Sequence, residues 1–262
     1  MTTQTETGIY IYGILPGDVE LEEETTGVGE PPAPVRLVKF RDIAALVSDV
    51  DVAKPLGTPQ DLMAHEDLLD ASAAEVPVLP MKFGAVVANE DAVTGEFLEP
   101  HYDGFRAALE QLEGVAEYVV KGRYVERAIL AEILAENPAA ADLAAQATSA
   151  GADLMASREQ QIQLGEIIGQ AVEAKREQDT QVLGDALAGQ VSASVVRPPS
   201  HELDAVHVAF LVEANAAQRL EQALTKLAAD WDGRVELQLI GPLAAYDFVG
   251  MTPPDPSQSP GG

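Results

Sequence analysis

The sequence predicts an α+β protein of two domains, the second a modified ferredoxin-like β-α-β-β-α-β sandwich. Three observations carry that prediction. Short runs rich in β-branched and aromatic residues, such as Ile9–Leu15 and Ala205–Val212, end at Pro or Gly or lead into helical pattern, as strands do. Between them lie stripes of helical period, clearest at Leu220, Leu224, Leu227 and Trp231. The chain is 262 residues long, near the limit for one continuous core. The pattern restarts after Gly114, so the expected division is 1–114 and 115–251. A variable helical excursion is expected near 123–150 and a disordered tail at 252–262.

In the first half, Ile9–Leu15 reads as a strand closed by Pro16-Gly17. Residues 18–34 crowd glutamates among glycines and prolines and read as an exposed loop. Val35–Phe40 and Ile43–Ser48, separated by Arg41-Asp42, form a hairpin. Thr58-Pro59-Gln60-Asp61 starts a helix: Thr58 is the N-cap, Pro59 takes the first position and Asp61 follows three residues on. The strand-like run Val76–Val87 contains two prolines and suits an edge or a bent strand. Val93 and Phe97, a restart at Pro100, then Phe105, Leu109 and Leu112 give the next helical pattern.

The second half begins with a strand over 115–121, a charged helical segment from Arg123 to Glu136, and the alanine-rich run 139–150, a helix or an irregular excursion. A long helix is expected over 153–187. Its middle, Lys175–Gln181, has no apolar residue, so the helix is expected to bend or project past its packing partner there. Strands at 191–196 and 205–212, the helix with the Leu220 stripe and a strand at 235–240 complete the order. The topology of the first half does not follow from the pattern.

Composition narrows the function. Sixteen basic against 43 acidic side chains give a net charge of −27, which repels phosphate backbones and argues against nucleic acid as a partner. Without cysteine there are no disulfides and no thiolate chemistry. No signal-peptide pattern and no apolar run of about 20 residues is present, so the expectation is a soluble, cytoplasmic protein without membrane contact. His65-Glu66-Asp67 cannot converge on one ion or proton, because consecutive helical residues point about 100° apart; it reads as a solvated or capping face. His201 and His207 flank a strand start, and His207 reads as a half-buried sheet histidine. Gly165 and Gly169, four apart, read as a close helix-packing site. No glycine-rich phosphate loop follows a strand and no Gly-x-Ser-x-Gly elbow occurs. The acidic run Glu22–Glu24 lacks the spacing of a calcium loop. No catalytic residue, metal site or cofactor is expected.

The closing stretch Leu239–Val249 is the most distinctive. Gly241 permits backbone angles closed to other residues, and Pro242 fixes φ, so the pair is expected to force a sharp exit from the strand. Tyr246 and Phe248 then share one side of an extended segment and bury together. With Phe83 and Gly84, these four residues are the candidate partner-binding or anchoring positions.

Several segments together resemble the GvpF/GvpL family of gas vesicle proteins. They are Tyr10–Ile14, His65-Glu66, Leu79–Gly84, Ala209–Val212 and the closing Gly241-Pro242 with Tyr246 and Phe248-Val249. The family closes on a Gly-Pro-Trp-Pro-Pro-Tyr-like run, whereas here Leu243-Ala244-Ala245 replaces the Trp and both prolines. The resemblance implies two α+β domains and an accessory or minor structural role in gas vesicle nucleation and assembly. It implies binding to the hydrophobic shell protein and to other vesicle accessory proteins, location at the gas vesicle, and no catalytic residues. A highly charged body holding an apolar partner by strand addition or by docking an amphipathic helix meets that demand. A ferredoxin-like module binding a small regulatory ligand is the alternative reading.

Overall fold

A computed structural model of the chain describes residues 7–21, 25–149 and 154–249. It is a mixed helix-and-strand protein with two antiparallel sheets, divided into two compact units. The division differs from the expected 1–114 and 115–251. The first unit takes residues up to Tyr118 and again those from Gly241, and the second is Val119–Ile240. The closing segment returns to the first unit because its backbone is bonded there: Ala244 N–H donates to Asp70 at 2.8 Å, and Asp247 N–H to the buried Glu117 at 3.0 Å.

In the first unit, β1 (Thr7–Pro16) is the central strand, buried from Gly8 to Leu15. It pairs on one side with β3 (Ile43–Asp51), which pairs in turn with β2 (Val35–Phe40); β2 and β3 are the expected hairpin. Two short strands, β4 (Leu79–Pro80) and β5 (Val86–Val87), pair on its other side. The expected proline-punctuated strand is thus an edge broken in two. Met81 N–H still donates to Tyr12 C=O at 2.8 Å, and Ile11 N–H to Ala85 C=O at 2.8 Å, so the intervening turn stays against β1.

Helix α1 (Pro59–Ala73) begins as predicted. Thr58 Oγ accepts from Asp61 N–H and the Asp61 carboxylate accepts from Thr58 N–H, a capping box. Beyond it, α2 (Glu90–Ala92) and a π-helical turn (Val93–Leu98) lead into α3 (Glu99–Gln111).

The second unit takes in β6 (Val115–Tyr124) from Val119 on, then α4 (Glu126–Glu136), α5 (Pro138–Ser149) and α6 (Leu154–Leu187). It continues through β7 (Ala193–Val196), β8 (Asp204–Glu213) and α7 (Ala217–Asp230) into β9 (Val235–Leu243). The sheet order is β7-β8-β6-β9, with α6 and α7 packed on one another. Arg123 and Tyr124 belong to β6 rather than to the following helix, and the alanine-rich run is helical in α5.

Three further expectations are corrected. The polar middle of α6 does not project past its neighbours: Asp179 is buried there, and Lys175 and Arg176 are bonded to neighbouring segments. Gly165 and Gly169 are exposed, and a Cβ at either would meet nothing within 4 Å, so they are no close-packing site. Gly241-Pro242 does not end β9, which continues to Leu243. Gly241 has φ +142°, and a Cβ there would lie 2.7 Å from the Tyr118 ring and 2.9 Å from Glu117 C=O, so only glycine fits. The tail 252–262 and the run Glu22–Glu24 lie outside the described residues.

Candidate functional site

Strand period places Tyr10 and Tyr12 of β1 on one face, their ring centroids 4.7 Å apart. Helix α1 covers that face with Asp61, His65 and Leu69, spaced by four. His65 is 2% exposed, not on a solvated face, and aromatic rings enclose it. Tyr12 stacks on it at 5.7 Å, Tyr10 and Phe83 meet it edge-on at 5.7 and 5.5 Å, and Tyr246 lies tilted at 6.4 Å. Phe83 arrives on the turn between β4 and β5, and Tyr246 on the closing segment. The structure therefore brings two of the six sequence candidates, Phe83 and Tyr246, to one imidazole.

The hydrogen bonds settle the proton positions. Met81 C=O can only accept, so His65 Nε2–H donates to it at 3.2 Å, leaving Nδ1 as the acceptor in the neutral ring. Tyr10 O–H donates to Nδ1 at 2.9 Å, and Gly84 N–H donates to the Tyr10 oxygen at 3.1 Å. Gly84, at φ +92°, turns the chain so that its amide reaches that oxygen. Tyr12 accepts from Val28 N–H at 2.7 Å and shares a 2.8 Å bond with Ser48 Oγ. Beside them Asp61 accepts from Gly29 N–H, Gly57 N–H and both Thr58 donors, tying the 27–30 loop to the start of α1.

Burial lowers the His65 pKa, against the opposing bond to Met81, and pushes Tyr10 up to about 12. Tyr12 is raised for the same reason. Burial works against the Asp61 carboxylate too, but its four donors outweigh it and hold the group below its usual range. The cluster is a neutral, bonded core with both imidazole nitrogens occupied. It presents neither a free base nor a nucleophile beside one, and the described residues contain no group of three His, Asp or Glu able to hold a metal.

Gly84 is exposed and Phe83 half-buried, so the cluster reaches the surface at that turn. Gly241 and Pro242 are exposed. Tyr246 and Phe248 do not share a side of an extended segment: they form one 3₁₀ turn, Tyr246–Phe248, with Phe248 buried and Tyr246 half-buried against the aromatic core. The Tyr246 hydroxyl is buried without a hydrogen-bond partner among the described residues, and burial raises its pKa, helped by the Asp70, Glu66 and Glu117 carboxylates. His207 is half-buried, with Nδ1–H donating to Pro198 C=O at 3.2 Å.

Sequence reasoning missed a second polar centre, in the second unit. Arg234 donates to Glu132 through Nε at 2.7 Å and to Asp179 through Nη2 at 2.9 Å, while its guanidinium lies 5.5 Å from the Tyr124 ring centre. Tyr124 O–H donates to Asp179 at 2.6 Å, and Lys175 pairs with Glu132 and Glu136 at 2.6 and 2.7 Å. The Arg234 bond holds Glu132 below its normal carboxylate range, with Lys175 adding to it. The one signal in sequence was the charged, apolar-free stretch 175–181.

Comparison with known proteins gives a consistent result. Residues 8–250 match the family described as gas vesicle synthesis protein GvpL/GvpF. Gas vesicle protein F of Streptomyces sp. (strain CB03234) is 35% identical over 243 residues, covering 92% of this chain and 98% of the relative. Gas vesicle protein L of the same organism is 28% identical over 268 residues, covering 94% of each. The crystal structure of GvpF from Anabaena sp. PCC7120 aligns over 93% of this chain and 96% of that one, with TM-score 0.72 and 25% identity. That of GvpF from Microcystis aeruginosa shares the fold at TM-score 0.73 and 20% identity, over 92% and 98%.

Proposed function

The chain belongs to the GvpL/GvpF family of gas vesicle synthesis proteins, and from that premise we propose that it acts by binding, as an accessory protein of vesicle nucleation and assembly. Its partners on this reading are the hydrophobic shell protein and other vesicle accessory proteins, and its place of work is the gas vesicle. The family match along residues 8–250 carries the reading. The site chemistry agrees with it, since the most enclosed histidine has both nitrogens committed to internal bonds. The charge of −27 suits a protein that must hold an apolar, self-associating subunit without precipitating with it.

The test is genetic and biochemical. Deleting this chain from a vesicle-forming host is expected to abolish buoyant vesicles, and tagged full-length chain to co-purify with the shell protein. Vesicles of normal yield after deletion would overturn the assembly role, and a clean chain without shell protein would overturn the partner.

A further inference from the structure

In the first unit a groove of ≈ 610 Å³ lies between the end of β1, the β2–β3 turn, the segment after α1 and the last turns of α3. Its floor includes the half-buried Pro16, Val19, Val76 and Pro77. Six of its 13 lining residues carry carboxylates, against 43 of 262 in the whole chain, so the acidity is concentrated here beyond the general surface charge. Two of the six are already engaged: Asp42 accepts from Tyr102 O–H, and Glu110 pairs with Arg106 at 3.5 Å. Arg106 is the sole cation in the lining. Asp18, Glu20, Glu75 and Glu113 are exposed and form no ion pair among the described residues.

From this geometry we infer that the groove docks a cationic amphipathic segment of a partner protein, with Lys or Arg residues interspersed with apolar ones. Lysine and arginine carry aliphatic stems under charged heads, so the stems lie on the proline and valine floor while the heads reach the rim. Apolar residues between them add burial on the floor. Four like charges around one groove repel one another in the free chain, and a cationic segment removes that repulsion on docking. A small anion or a phosphate backbone is repelled by the same rim. The inference rests on the reading of the chain as an assembly partner and names the chemistry of one contact.

The experiment titrates full-length chain into a fluorescein-labelled peptide of Leu and Lys at helical spacing, at near-physiological salt, reading anisotropy. The groove variant Asp18→Asn, Glu20→Gln, Glu75→Gln, Glu113→Gln is expected to weaken binding about tenfold or more. The equal-charge control Glu173→Gln, Glu177→Gln, Glu221→Gln, Asp230→Asn, which changes exposed residues of α6 and α7, is expected to change it less than about twofold. A peptide with Ser for every Leu is expected to bind about tenfold more weakly to the unaltered chain. Equal weakening by groove and control variants would overturn the inference, leaving only attraction to a generally acidic surface. Undiminished binding of the Ser peptide would overturn it in favour of a bare polycation, and so would wild-type chain that binds no peptide. Melting curves accompany each variant; if the fourfold one is unfolded, the single reversal Glu75→Lys gives the same reading. Loss of peptide binding with shell-protein capture intact would leave the function standing and the groove uninvolved in that capture.

Discussion

Around His65 the first unit gathers polar groups that are uncharged apart from Asp61, whereas around Arg234 the second gathers ions, of which Asp179 is buried. The His65 core joins phenols, an imidazole and backbone groups, with the imidazole and Tyr10 donors matched to acceptors. The Arg234 centre joins a guanidinium and an ammonium to carboxylates on α4 and α6. A buried neutral group that loses its partner costs about 1–3 kcal/mol, and a buried ion that loses its partner about 3–5 kcal/mol. The first design is sensitive to pH through one group; the second is sensitive to the loss of any single charge.

The sharpest way to break the comparison is at Arg234. Arg234→Met leaves Asp179, whose side chain is 9% exposed, and Glu132 uncompensated, and is expected to cost about 3 kcal/mol in urea denaturation of the whole chain. A loss below about 1 kcal/mol would place the centre among ordinary surface pairs. Arg234→Lys should fall between, because an ammonium cannot span both carboxylates as a planar fork does.

Next comes Tyr10→Phe, which strips the partner from His65 Nδ1 and from Gly84 N–H. The expected loss is about 1–3 kcal/mol, and no loss would show that these bonds are not maintained in solution. Acid should act through the same core. The His65 pKa is lowered in the folded state, so the unfolded chain binds the proton more readily. Its contribution is full above about pH 6.5 and is lost as pH falls toward the folded value, with a slope of at most about 1.4 kcal/mol per pH unit. Comparing melting at pH 7 and pH 5.5 for wild type and His65→Gln checks this; equal slopes in the two proteins would exclude His65 as the source.

The smallest effect is expected at Tyr246→Phe. Its hydroxyl is buried and has no partner among the described residues, so removing it should leave stability within about 0.5 kcal/mol or raise it slightly. A loss above about 1 kcal/mol would show a bond made in solution.

What could be read from sequence was whatever depends on neighbours a few residues away. The β2–β3 hairpin, the Thr58–Asp61 cap and the Leu220–Trp231 stripe of α7 all declare themselves within one or two turns of chain. The His65 core did not, because α1 buries a carboxylate, an imidazole and one leucine, a face that looks solvated by composition. The closing segment was read with the second domain, whereas it belongs to the first unit. Its partners Asp70 and Glu117 lie 174 and 130 residues away, beyond any periodic signal. That the polar middle of α6 packs rather than projects was hidden for the same reason, since its charges are answered by Glu132 and Arg234 from distant elements. Phe83 and Gly84 were found by motif alone, and their meeting with His65 needed the fold.

Because the first unit is completed by residues that follow Ile240, its order of completion is set by the ribosome. Domains usually fold as they emerge, N-terminal first, but here the earliest strands must wait until the whole of Val119–Ile240 has been made. Only then can Tyr246 cover the imidazole and Ala244 reach Asp70. A nascent chain stopped before Gly241 carries every strand of the first sheet and still lacks its finished aromatic core. Closure of that core therefore follows synthesis of the whole second unit, so a partner recognising the closed face would engage only chains made past Tyr246.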